Sequence, residues 1–320
     1  MLRISKSGWL LIKVTLMLLS VFFIFLHIKQ QGIEKELNML AADSAQNSGE
    51  RIYILFVVLL MLFNWFLEAV KWHYLTSFFY QQSISEAARA VLTGLAFSIF
   101  TPNRSGDFAG RIMHLPPDLR IEGAVFSFVG SFTQVLVTIT AGCLSAIYLS
   151  YHLSVFSNLY FSVLIPVFIF SLLCLHYVAI NLRKYWPWIV GIKWLKALTA
   201  KVHDVEKLKP QFLIKIITLS WLRYVVFTLQ FYLLLRAFEV NLSIDLMISL
   251  VMITFFFITL IPSFTLSEIG IRGSVCVYLF SRFMQDTSGV LLASSLLWLI
   301  NIGIPAFIGA IGILSFKRIK

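Results

Sequence analysis

Two arginines and a carboxylate stand in TPNRSGDFAGR, residues 101–111, directly after the uncharged run AVLTGLAFSIF. A second polar interruption, IPSFTLSEIGIRG at 261–273, follows another apolar run. Each has a proline at its second position, Pro102 or Pro262. Each has an acid, Asp107 or Glu268, with an arginine four residues later, Arg111 or Arg272, and a glycine between them, Gly110 or Gly270. The spacing from proline to acid differs by one residue, and so does that from acid to glycine. Guanidinium groups beside a helix start bind phosphate well, through free N–H groups, the helix dipole and bidentate geometry.

The residues around both interruptions read as helix starts. Proline suits a first helical position, where its missing N–H is not needed. Thr101 is placed to cap ahead of Pro102, and Thr265-x-x-Glu268 has the spacing of a capping box. Thr101, Pro102 and Asn103 form one expected hairpin tip, and Pro262, Ser263 and Thr265 the other. A helix through the first motif sets Arg104, Asp107, Arg111 and His114 on one stripe; Thr265, Glu268 and Arg272 form the matching stripe. An acid between bases lowers the cost of burying them. Two readings fit these residues: a phosphate-headgroup site at two hairpin tips, or a pair of aqueous loops whose charges are solvated.

Further polar residues sit within apolar runs. Arg223 lies near the centre of 212–236, where an arginine is costly and usually faces a cavity or an acid. With these motifs it completes a candidate headgroup set of Arg104, Asp107, Arg111, Arg223, Glu268 and Arg272. Glu68 shares a face with Asn64 and Lys71 near the end of its run, which suits snorkelling. Gln134 and Asn301 read as helix–helix hydrogen-bonding residues, and Lys13 as a snorkelling lysine. Pro305 predicts a kink, and the glycines of GIPAFIGAIG predict close helix packing.

What must hold these residues is a membrane protein. Of 320 residues 59% are hydrophobic and only 13% charged, and the mean hydropathy is +0.87. Candidate spans are 8–28, 52–72, 123–150, 157–179, 212–236, 246–261, 269–284 and 289–314, with a shorter run at 88–100. Several reach the roughly 20 residues that cross a hydrocarbon core. Their unbroken hydrophobicity argues helices rather than an alternating barrel. The expectation is an all-α polytopic integral membrane protein of about 6–8 spans. The net charge of +11 belongs with basic cytoplasmic loops rather than nucleic acid, since no nucleic-acid module is visible.

Basic residues orient the chain. The loop 180–211 and the tail FKRIK are expected to be cytoplasmic, with the N-terminus; the acidic 29–51 and 237–245 segments fit outside. The loop carries Trp186, Trp188 and Trp194 among its bases, the pattern of an interfacial amphipathic helix. With this orientation, the helix before the first motif runs inwards and the helix before the second runs outwards. That predicts two inverted repeats, each with a broken or re-entrant hairpin, in a single membrane domain over 1–320. Its regions are 1–50, 51–179, 180–211 and 212–320. Inverted repeats with broken helices are a transporter plan with a midplane site.

Enzyme signatures are not found. There is no P-loop, no GxSxG and no metal-ligand spacing among the six histidines. Cys143, Cys174 and Cys276 form no CxxC pair. No catalytic residue, metal or cofactor is expected, and without an ATP motif any transport runs downhill or on an ion gradient. The long apolar run from Trp9 reads as an uncleaved first helix, since AADSA at 41–45 lies well beyond its end.

The run into PNRSGDFAGR, then LIPSFTLSEIGIRG before another apolar run, resembles the lysylphosphatidylglycerol synthetase transmembrane-region family over roughly residues 50–314. This family includes the flippase half of the multiple peptide resistance factor. The usual second motif ends in an arginine–glutamate pair, whereas here Gly273 follows Arg272. The resemblance implies a flippase-like lipid translocase of the cell (inner) membrane, and in the best-known member the lipid is an aminoacylated phospholipid. Its expected partners are membrane lipids, anionic or polyprenyl-linked. The chain ends at FKRIK, so it is not expected to make lysyl-lipid itself. The alternatives are an accessory subunit with a synthase or glycosyltransferase partner, and a membrane-embedded transferase.

Overall fold

The computed structural model describes residues 48–99, 101, 104–152, 158–190, 204–262 and 265–314. The expected first span 8–28 with Lys13, the small residues at 41–45, the stretch 191–203 and the tail FKRIK lie outside the described residues. So do Pro102, Asn103 and Ser263.

Helix α1, Ser48–Thr76, shows why the fold belongs in lipid. Ile52, Leu55, Phe56, Leu59, Leu62, Phe63 and Phe66 form an exposed apolar stripe at helical spacing. The opposite face buries Asn64, Glu68 and Lys71. Water would favour the reverse distribution; a hydrocarbon surround favours this one.

A two-armed hairpin follows. Its arms are α2, Ile84–Ser98, and α3, Gly106–Ile112, of 15 and 7 residues. Ser83 and Glu86 form a capping box at the start of α2. Hydrogen bonds from the Ser83 backbone N–H and hydroxyl hold the Glu86 carboxyl below its ordinary pKa. Neither arm reaches membrane-spanning length, so this hairpin is re-entrant or broken rather than two crossings. Helix α4, Arg120–His152, then runs for 33 residues. Helix α5, Asn158–Ile180, meets α6, Leu182–Val190, at 83°. Trp186 of α6 is buried against the end of the bundle while Trp188 is exposed, as an amphipathic interfacial segment requires.

The second half repeats the plan. Helix α7, Pro210–Ala237, leads to α8, Ile244–Leu260, and α9, Thr265–Phe280, arms of 17 and 16 residues. Helices α10, Ser288–Trp298, and α11, Ile304–Leu314, continue one another through a π turn at Leu299–Gly303. The kink expected at Pro305 is thus taken up just before it: proline offers no N–H to the preceding turn, and the widened turn accommodates that loss. Among the described residues all regular structure is helical, and four stretches are long and apolar enough to cross a membrane, or five with the bent α5–α6 pair.

Contacts fix the relation between the halves. On the α1–α7 seam, Arg223 meets Asn64 and Glu68, and Gln230 donates to the Val57 carbonyl at 2.9 Å. Residue numbers rise in one helix as they fall in the other, so α1 and α7 are antiparallel. Antiparallel first helices place the two hairpins in opposite orientation, the inverted repeat that the motifs predict. Packing is also exchanged. Helix α8 lies along α4, where Ser145 donates to the Ser249 carbonyl at 2.5 Å and Gly142 abuts Phe256. Helix α2 lies along α11, where Gly309 abuts Leu92 and Ala96 meets Ala310. Each hairpin therefore rests on the long helical segment that follows the other half's hairpin.

Candidate functional site

The polar face of α1 builds the first cluster. Glu68 is 4% exposed and Lys71 1%. Three cations converge on the Glu68 carboxylate: Lys71 at 3.1 Å, Arg111 of α3 at 2.7 Å, and Arg223 of α7. Arg111 turns its other side to Asp107, one helical turn back, at 2.8 Å. Arg223 also donates to Asn64 at 3.1 Å and lies 3.4 Å from Gln134. Lys71 donates to the Gly130 carbonyl of α4 at 3.3 Å. Trp72 and Trp65 lie under Arg111 and Arg223, at 5.6 and 5.7 Å, where aromatic faces offset part of the desolvation of a guanidinium.

The second cluster forms between the hairpins. Glu268 of α9 accepts from Arg272, one turn on, at 2.7 Å. It also accepts from Arg104 at the first tip, through Nη2 at 2.7 and 2.8 Å and Nε at 3.2 Å. Arg104 thus ties one half to the other. Buried between Phe227 and Phe255, Arg272 keeps Nε and Nη1 without an acceptor among the described residues. Arg104 and Asp107 both act electrostatically on Arg223, so the clusters share one field.

All six candidate headgroup residues come together here, but not as one stripe. Helix α3 starts at Gly106, four residues after Pro102, and Arg104 stands in a turn with φ of 57°. Only the Asp107–Arg111 pair keeps its helical spacing, and His114 lies past the end of α3 beside Thr93, at 3.0 Å. Thr101 still serves the helix start, accepting from the Gly106 N–H at 2.7 Å. Glu268 directs its carboxylate to the two arginines. Pro262 is exposed at the second tip.

Glu68 is the residue that snorkelling misplaces. Its side chain turns inward because three cations meet it there. The face it shares with Asn64 and Lys71 was the visible signal. Asn301 also differs from expectation. Its side-chain amide bonds within its own helix at 3.2 Å, and its backbone carbonyl accepts from Trp65 at 3.1 Å. Gln134 does bridge helices, donating to the Ser220 carbonyl at 3.3 Å.

Glycines bring the arms of the first hairpin together. A Cβ on Gly110 would lie 2.6 Å from the Gly94 nitrogen, and one on Gly106 would lie 2.8 Å from Thr101 Oγ1. This backbone-to-backbone crossing sets the height of Asp107 and Arg111. Gly106-x-x-x-Gly110 was the legible trace of it.

The left-handed backbone at Arg104 makes a prediction. Arg104→Gly and Arg104→Ala both delete the guanidinium, but only glycine relieves the positive φ. The glycine variant should be the more stable by about 1 kcal/mol in thermal unfolding of the detergent-solubilised protein. Equal stability would show that the turn carries no strain.

The lysylphosphatidylglycerol synthase TM region model matches residues 10–309, nearly the whole chain. The protein belongs to this family. No curated protein and no solved structure shows a significant match. A lysylphosphatidylglycerol synthase TM region is a membrane module of lipid metabolism, and here its two motif hairpins enclose one cation-rich cluster. Among the described residues no group of His, Cys, Asp and Glu is placed to hold a metal.

Proposed function

We propose that this protein is a lipid translocase whose headgroup site lies at the meeting of the two hairpins. The observation that carries the reading is the Arg104–Glu268 bridge, an ion pair spanning two oppositely oriented halves within a buried cationic cluster. A headgroup phosphate is the natural competitor for that bridge, because it offers arginine the same bidentate geometry as a carboxylate. Arg104, Arg111, Arg223 and Arg272 contact the phosphate, while Asp107 and Glu268 orient the arginines. Taking Arg104 from Glu268 loosens one hairpin from the other. Rocking of the halves about the α1–α7 seam then exposes the site to the opposite leaflet. The bases at the start of α6, Arg183 and Lys184, rest on the cytoplasmic face of the inner membrane, held by anionic lipid.

The test is headgroup translocation in proteoliposomes holding only this chain. Labelled anionic phospholipid should cross faster than in empty vesicles, and Arg104→Gln should lower the rate by about tenfold, the loss of one charge-assisted contact. A rate no greater than that of empty vesicles for every anionic and polyprenyl-linked lipid would remove the transport reading. It would turn attention to the accessory-subunit alternative.

A further inference from the structure

The charge balance of the site has a definite sign and a definite symmetry. The first half contributes Lys71, Arg104 and Arg111 against Glu68 and Asp107, one positive charge over. The second half contributes Arg223 and Arg272 against Glu268, again one over. Positions 102, 103, 263 and 264 at the tips are Pro, Asn, Ser and Phe, so they alter neither count.

The excess can be located. Arg111 and Arg272 each pair with the acid one turn before them, and Lys71 with the acid three residues before it. Arg104 and Arg223 have no acid of their own half. Each reaches instead into the other half, Arg104 to Glu268 and Arg223 to Glu68. They are also the most accessible of the five cations, with side chains 38% and 15% exposed, against 2% for Lys71, 7% for Arg111 and 4% for Arg272. Three acids for five cations leave the site two positive charges over, and its two most accessible cations are where an anion can reach them.

We infer that the site is built for a headgroup with two negative charges, a lipid phosphate monoester or diphosphate, held between Arg104 and Arg223. This rests on the translocase reading and narrows it. A phosphodiester neutralises only one of the two charges. An aminoacylated phospholipid, with ammonium groups beside a single phosphodiester, adds positive charge to a site that already has too much. Its headgroup is therefore disfavoured here, although it is the lipid named in the family's description. The orphaned N–H groups of Arg272 are further donors for a second phosphate oxygen once Glu268 is displaced.

The experiment is lipid binding to the purified full chain in detergent, read by native mass spectrometry and thermal shift. It is run above the second ionisation of a phosphomonoester, at about 6. Probes are phosphatidic acid, phosphatidylglycerol and lysylphosphatidylglycerol, with glycerol 3-phosphate as the chain-free control. Phosphatidic acid should bind about tenfold more tightly than phosphatidylglycerol, the worth of one further charge-assisted contact, with lysylphosphatidylglycerol weakest. Arg104→Gln should erase most of that preference, and Arg223→Gln provides a second variant should the first fold poorly. Lysylphosphatidylglycerol binding as tightly as phosphatidic acid, and dependent on Arg104, would overturn the charge assignment while leaving a headgroup site. Binding of every lipid indifferent to both substitutions would overturn the headgroup site as well. Glycerol 3-phosphate binding as tightly as phosphatidic acid would assign the site to a free phosphate ester, against a lipid.

Discussion

Glu68→Gln is expected to leave little folded protein, because it strips the common counter-ion from Lys71, Arg111 and Arg223. Those three cations have side chains only 2%, 7% and 15% exposed, and Arg111 would keep only Asp107. Breaking a buried pair from one side costs roughly 3–5 kcal/mol, most of it the penalty of the charges left behind. Three stranded partners put this site at the upper end. Thermal unfolding and the monodisperse fraction after solubilisation measure the effect. The double variant Glu68→Gln, Arg223→Gln should recover part of the loss, since it removes a cation along with the acid. Wild-type stability in the single variant would mean that water or lipid reaches Glu68 and the network is solvated.

The second large effect is a contrast between the two glycines that lie between acid and arginine in the two motifs. At Gly110 a Cβ would stand 2.6 Å from a backbone nitrogen of Gly94, and backbone cannot swing aside as a side chain can. At Gly270 a Cβ would meet nothing within 4 Å. Gly110→Ala should therefore push α2 and α3 apart and cost about 1–3 kcal/mol or more, moving the Asp107–Arg111 pair with it. Gly270→Ala should stabilise the chain slightly, by roughly 0.5–1 kcal/mol, as alanine does in an open helical position. Unfolding temperatures of the two variants, read side by side, check both signs at once. Equal losses would contradict the packing at the first hairpin.

These glycines also mark how far the sequence could be read. Short-range regularities were legible: uninterrupted apolar runs, the acid–arginine spacing, the doubled motif and its reversal. Each depends on helix periodicity or on the bilayer as solvent, which act on neighbouring residues alike. Gly110 and Gly270 look equivalent at that level, and only the neighbouring arm tells them apart. Glu68 was misread for the same reason, since two of the three cations that turn it inward, Arg111 and Arg223, come from α3 and α7. Arg104 looked like a member of a helical stripe. Its turn is held by a carboxylate far along the chain, a partner that no local pattern announces. The six candidate residues were found as types, and their pairing between halves emerged only with the packing.

The exchanged packing bears on how the chain is made. Helix α2 leaves the ribosome long before α11 exists, yet α11 is the surface on which it comes to rest. During synthesis the first hairpin must wait in the translocon or in lipid with one flank bare, and Arg104 has no acid to hold until α9 arrives. The nascent first half is therefore expected to be open to membrane quality-control proteases until α11 is inserted. A chain stopped after α10 should be cleared as quickly as one stopped after α4. Two co-expressed fragments, split in the 191–203 stretch, should survive together where neither survives alone. On that outcome assembly acts as a proofreading step, in which the chain persists once α11 has closed over the first hairpin.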